Sequence, residues 1–159
     1  MQPTEHFSHR EGREIVSRRG LSDEISGILS LPAIGAARGR ARQIKTAVSA
    51  GLTRAGWAVS ARVAETHGLR INGLKAKIGF TLQTGNVARA IYDLLKFQAM
   101  HLRGKIDAAV LAVPSRGAAS ALGNNVANFT RVRSELDLFA HIITTPCWII
   151  AIDEEGGLE

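Results

Sequence analysis

The stretch from Ile71 to Met100 reads I-N-G-L-K-A-K-I-G-F-T-L-Q-T-G-N-V-A-R-A-I-Y-D-L-L-K-F-Q-A-M, a turn, a strand, a tight break and a helix in succession. Asn72-Gly73 predicts the turn, since both residue types accept the positive φ that a tight turn needs. From Lys75 onward, Ala76, Ile78, Phe80 and Leu82 alternate with Lys77, Gly79, Thr81 and Gln83. A period of two marks a half-buried strand. Gly85-Asn86 breaks it, and Asn86 is a suitable N-cap for a helix that follows. In that helix Val87, Ile91, Leu94, Leu95 and Leu102 are expected on one buried face. Arg89 falls in the first turn, where free backbone N–H groups favour anions.

Gly85-Asn86, the run Tyr92-Asp93-Leu94-Leu95-Lys96-Phe97-Gln98 and Gln83 before them resemble the core of the BglII/BstYI family of type II restriction endonucleases. The resemblance extends to Ser8-His9-Arg10, Gly12 and Glu14-Ile15 near the start, and to Gly104-Lys105-Ile106-Asp107 and Val113-Pro114 further on. It implies a PD-(D/E)xK-type nuclease site, in which an Asp, a Glu and, in this branch, a Gln act together with Mg²⁺. On this chain the Asp position falls on Asn72, the Glu position on Thr81 and the Gln position on Gln83. Both metal-binding carboxylates are therefore replaced. The resemblance also implies double-stranded DNA as partner, short palindromic sites, a homodimer to read them and a place in a restriction-modification system.

Magnesium dehydrates reluctantly and is held by one or two carboxylates with the substrate phosphate. Asn72 offers a neutral carbonyl and Thr81 a hydroxyl, beside Lys75 and Lys77, so Mg²⁺ is expected to bind weakly or not at all. Gln83 can orient a water or touch a phosphate. The expected protein is thus a catalytically inactive or inactivated DNA-binding relative. The rival readings are an active Mg²⁺-dependent nuclease with relocated carboxylates (Glu65 or Asp93) and a non-catalytic interaction module. For Asp93 itself, pairing with Lys96 or Arg89 is the favoured role. Base contacts in this family come after the central strand and in loops after the buried strand, which by position implicates Asn86, Ser115, Arg116, Asn124 and Asn125. Asn suits adenine and Arg suits guanine in the major groove.

Charge points the same way. The chain has 159 residues and a net charge of +6. Residues 1–66 carry ten Lys/Arg against six Asp/Glu, 67–104 six against one, and 105–159 four against seven. The third containing the candidate site is almost purely basic, which suits a polyanionic partner. Arg38, Arg40, Arg42 and Lys45 form the densest basic run and are candidate phosphate contacts. No apolar run approaches a membrane span, and the start lacks a signal peptide's apolar core, so a cytoplasmic location is expected. Cys147, the single cysteine, is expected in the core.

The remaining elements follow from periodicity and punctuation. Residues 5–19 read as a polar helix burying Phe7, Ile15 and Val16, on which His6 and His9 lie one turn apart without a third metal ligand. Glu14 on it is most simply solvated. Ser22 is a candidate cap for a helix of Asp23 to Leu31, ended by Pro32. A helix from Arg40 to Ala55 buries Ile44, Val48 and Leu52. Trp57 to Val63 alternates as a strand, Leu69 to Ile71 makes a second shorter one, and residues 106–114 form a continuous apolar run suited to a central strand. Residues 115–125 read as loop, 128–139 as helix, 147–153 as a last strand, followed by an acidic tail. A strand, helix and strand in this spacing make a parallel βαβ unit. The expected fold is α/β and restriction-endonuclease-like, with a mixed sheet of about five strands flanked by helices. One domain spans 1–159, with 1–55 helical and 56–153 the nuclease-fold core.

Overall fold

Ile78, Phe80 and Leu82 alternate with Gly79 and Thr81, and all five are buried, so this strand is covered on both faces. In the computed structural model, which describes residues 1–154, it lies inside a six-stranded sheet of order β1-β6-β5-β4-β3-β2. The elements in chain order are β1 (Gln2–His9), α1 (Gly12–Arg18), α2 (Ser22–Leu29), α3 (Ala41–Arg54), β2 (Ala58–Arg62), β3 (Arg70–Lys75) and β4 (Ile78–Leu82). Then come α4 (Val87–Leu102), β5 (Ala108–Pro114), α5 (Arg116–Leu122), α6 (Phe129–Leu138) and β6 (Cys147–Asp153). Strands β4, β5 and β6 run parallel, while β2, β3 and β1 are antiparallel to their neighbours. The fold class is the expected one, with one strand more.

The sheet separates two apolar layers. On one side Ile78, Phe80, Val110, Trp148 and Ile150 pack with Val16 of α1, Ile25 and Leu29 of α2, Ile44 and Leu52 of α3 and Leu122 of α5. On the other, Leu111, Val113 and Ile149 pack with Leu94 and Phe97 of α4 and Val132 and Leu136 of α6. Every residue of β5 is buried, as expected for a parallel strand covered by helices on both faces. Gly79 is small for a reason of packing, since a Cβ there would lie 3.1 Å from the Phe97 ring.

The extra strand is β1. Residues 2–9 are extended, pairing Phe7 with Ile149 and His9 with Cys147, and only Gly12–Arg18 is helical, so the helix expected over 5–19 is corrected. An edge strand with a solvated face tolerates the polar run T-E-H-F-S-H, which carries no strong alternation. Val16 is buried, whereas Phe7 and Ile15 are only half-buried. His6 and His9 therefore point apart: Trp148 Nε1 donates to His6 Nδ1 at 3.2 Å, and His9 Nε2 lies 2.7 Å from the Ile143 carbonyl. Burial first, then the nearby Arg13 charge, lowers the His6 pKa from its ordinary value.

Three further expectations change. Asn72-Gly73 is not a turn but lies within β3, and the chain reverses at Ala76 and Lys77, with φ of 48° and 60°. Gly73 is required by packing instead, because a Cβ there would come within 3.1 Å of Trp57. Residues 116–122 are helical rather than loop, since Ser115 caps the run by accepting from the Ala118 N–H at 3.0 Å. Leu95 and Leu102 are exposed, the latter at 73%, while the polar Asp93 and Gln98 of α4 are buried in their place. Ser22 opens α2 without capping it. Glu155 to Glu159 of the acidic tail lie outside the described residues.

Candidate active site

The β3–β4 ladder has Gly73 opposite Phe80 as its last pair on this side. Asn72 and Thr81 come next on their strands, so the two positions singled out by the family resemblance face each other where the ladder opens. There the Leu82 N–H donates to Asn72 Oδ1 at 2.8 Å. The Asn72 side chain thus supplies the acceptor that a neighbouring backbone carbonyl would otherwise provide. On the far side of β3, the register places Ser60 of β2 beside Asn72, and Ser60 adopts a φ of 53°. A kink of this kind re-aims side chains at a strand end.

Gln83 follows β4 and is held at both ends of its amide. Its Nε2 donates to Asp93 Oδ2 at 2.6 Å, and its Oε1 accepts from the Gly85 N–H at 2.9 Å. Asp93, 3% exposed, uses its other oxygen to accept from Lys96 Nζ at 2.8 Å. The expected Asp93–Lys96 pair therefore exists and carries Gln83 with it. Thr81 is 5% exposed, and its hydroxyl has no partner among the described residues.

These side chains line one cleft of about 740 Å³ between α3, the open end of β2–β3–β4 and the first half of α4. Lys45 comes from α3, Arg70 from β3, and Arg89 and Lys96 from α4. Asp93 is the sole carboxylate among the lining residues. The positive charge expected beside Asn72 from Lys75 and Lys77 is spent elsewhere. Lys75 Nζ binds both oxygens of Glu24 at 2.9 Å and the Ala55 carbonyl, while Lys77 pairs with Asp107 at 3.1 Å. Glu65 is exposed, pairs with Lys105 at 3.6 Å and does not line the cleft. Glu14 of α1 accepts from Ser8 of β1, also outside it.

The donor set does not fit a divalent cation. Asn72 Oδ1 is already taken, Thr81 brings a neutral hydroxyl, and both Asp93 oxygens accept from other groups. Hard cations need oxygen ligands with negative charge to replace their water. Among the described residues no three His, Cys, Asp or Glu side chains are grouped to hold a metal.

The family model described as "Restriction endonuclease BglII/BglIII" matches residues 4–152. The chain belongs to this BglII family. Its fold is that of the crystal structure of restriction endonuclease BglII complexed with a DNA 16-mer, at a TM-score of 0.83 and 10% identity over 99% of this chain and 81% of that one. Free BglII aligns at a TM-score of 0.75 and 12% identity, over 99% and 82% of the two chains. Comparison with curated proteins finds no match. Family and fold together support a nuclease-like role.

The remaining nominated residues sit around one end of this BglII-type fold. Asn86 is exposed and caps α4 by accepting from the Ala88 N–H at 2.9 Å. Arg89 projects into the cleft. The α4 N-terminus is not an open anion site, however, because the Val87 N–H donates to the Asn125 carbonyl at 3.0 Å and the Arg89 N–H to the Asn86 carbonyl at 2.9 Å. The Ala127 N–H in turn donates to the Gly85 carbonyl at 2.8 Å, and Asn86 bridges to Val126. The loop after β4 and the loop carrying Asn124 and Asn125 are therefore fastened together. Asn124 and Asn125 are exposed, as is Arg116 at the start of α5. Ser115 is buried, with its hydroxyl donating to Asp153. Arg38, Arg40 and Arg42 are exposed at the entry to α3, and Arg40 binds Gln43. Sequence reasoning passed over Arg70 and Ser60 in the cleft. Arg70 is exposed on β3 between Leu69 and Ile71 and carries no motif, and Ser60 stands out only by its φ.

Proposed function

We propose that the protein binds duplex DNA across this cleft as a two-fold homodimer, and that it does not cleave that DNA with Mg²⁺. The observation that carries the second half is the Leu82 N–H bound to Asn72 Oδ1, which leaves the first metal position only a neutral oxygen already sharing its lone pairs with the backbone. DNA as partner is supported by family membership, by the likeness to BglII held on a DNA 16-mer and by the basic cleft. The dimer rests on the palindromes that relatives read. It also accounts for the apolar stripe of Tyr92, Leu95 and Leu102 left exposed on α4. Light scattering at micromolar protein, with and without DNA, tests it, and a monomer in both states removes it.

Cleavage is tested on supercoiled plasmid with Mg²⁺, Mn²⁺ or EDTA. Wild type is expected to leave the plasmid intact. Asn72→Asp combined with Thr81→Glu is expected to nick and linearise it in a metal-dependent way, and each single change to do little. Asn72→Asp keeps an oxygen to accept from Leu82, so the strand end should survive. One specific observation favours a rival, an active nuclease using Asp93, because Asp93 does line the cleft. Metal-dependent cutting by wild type that disappears in Asp93→Asn would establish the rival instead.

A further inference from the structure

We infer that the cleft has exchanged its metal for an anion, and that Lys45, Arg89, Asn72 and Thr81 hold a backbone phosphate of the bound strand directly. This rests on the proposed DNA binding and states how that site works without a cation. The chemistry follows from which atoms are left free. Because a backbone N–H can only donate, Leu82 fixes the orientation of the Asn72 amide with Oδ1 inward. The Nδ2 donors are then the free end, with no partner among the described residues. Thr81 adds a hydroxyl that is almost wholly buried and unpartnered, an uncommon state for a native polar group.

Charge reinforces the donors. Lys45, Arg70, Arg89 and Lys96 line the cleft against Asp93 alone, and Asp93 is consumed by Lys96 and Gln83. Among the described residues Lys45 and Arg89 make no ion pair, so their charge is available to a ligand. Two carboxylates would present acceptors to a cation. An amide NH₂, a hydroxyl and two free cations present donors to an oxyanion. At the two substituted positions negative acceptors have given way to neutral groups that can donate.

The experiment measures anisotropy of a labelled duplex against protein in EDTA and again in millimolar Mg²⁺ at matched ionic strength. Wild-type affinity should be the same in both. Lys45→Ala and Arg89→Ala, which change exposed side chains, should each weaken binding and lower the slope of log K against log salt by about one. The Asn72→Asp, Thr81→Glu pair should bind poorly in EDTA and recover in Mg²⁺. Line broadening of inorganic phosphate in ³¹P NMR, read on wild type and Arg89→Ala, probes the cleft independently of DNA. Wild-type binding that collapses in EDTA overturns the inference, as does binding unaffected by both alanine changes. If no duplex binds at any salt, the proposed function fails. Phosphate broadening that depends on Arg89 would then still uphold the anion site, and its absence would remove that as well.

Discussion

At Asn72 the two ends of one amide differ in their company. Oδ1 closes the strand end on Leu82, and the Nδ2 donors have no partner among the described residues. The family resemblance singled out positions 72, 81 and 83, and all three line one cleft. What spacing cannot give is the direction of an amide or the company of a buried acid. Asp93 is the example. Its pairing with Lys96 was legible, but its burial and its hold on Gln83 were not. Asp93→Ala should cost about 3 kcal/mol, because it leaves the Lys96 ammonium in a largely buried place without its partner. Urea denaturation measures this. A loss of under about 1 kcal/mol would mean that Lys96 swings out to water.

At the scale of elements, Gln98 shows how α4 is fixed. Its Oε1 accepts from the Thr144 and Thr145 N–H groups at 2.8 and 2.9 Å and from the Thr145 hydroxyl at 2.7 Å, while Nε2 donates to Thr144 Oγ1 at 2.8 Å. One side chain thus satisfies the loop that feeds β6. Gln98→Leu should cost about 2–4 kcal/mol, since it strands two backbone donors in a buried setting. Hydrogen exchange should report it as early opening at Thr144 and Thr145, ahead of β5. The elements legible in sequence include α3 and α4, by their periodicity, and β5 and β6, by their apolar runs. Those misread lacked such a signal or carried a misleading cue. The β3–β4 hairpin turns at Ala76-Lys77, which holds none of the residues that favour a positive φ. The Asn-Gly pair that looked like its turn serves the cleft through Asn72 and makes room for Trp57 through Gly73.

Across the whole molecule, ion pairs tie the helical segment before β2 to the sheet. Lys75 and Trp57 hydrogen bonds hold the Glu24 carboxyl below its ordinary value of 4.5, although burial alone pushes it up. Hydrogen bonding by Lys77, with Arg19, likewise holds Asp107 below 3.8. Carboxyls depressed in the folded state add stability at pH above their unfolded values and lose it as pH falls through the folded ones. Stability should therefore begin to fall below about pH 6.5, where the unfolded chain protonates His6 before the folded one does, and decline more steeply below about pH 4.5 as the carboxyls protonate. Glu24→Gln should shallow that decline, as read from urea midpoints across pH. A decline unchanged in Glu24→Gln would place the acid sensitivity elsewhere. The parallel β4–α4–β5 unit was legible in sequence, whereas the edge strand β1 was not, because its pairing with β6 is decided about 140 residues away.

The fastening of Gly85-Asn86-Val87 to Asn125-Val126-Ala127 carries a consequence for exchanges in either loop. Two loops joined through their main chains couple their positions, so a replacement in one is felt by the other. Effects of exchanging Asn86 and Asn125 on stability or on DNA affinity should then fail to sum, with the paired variant departing from the total of its singles. Were these the base contacts that the family resemblance implies, a new target preference would call for changes in both loops together.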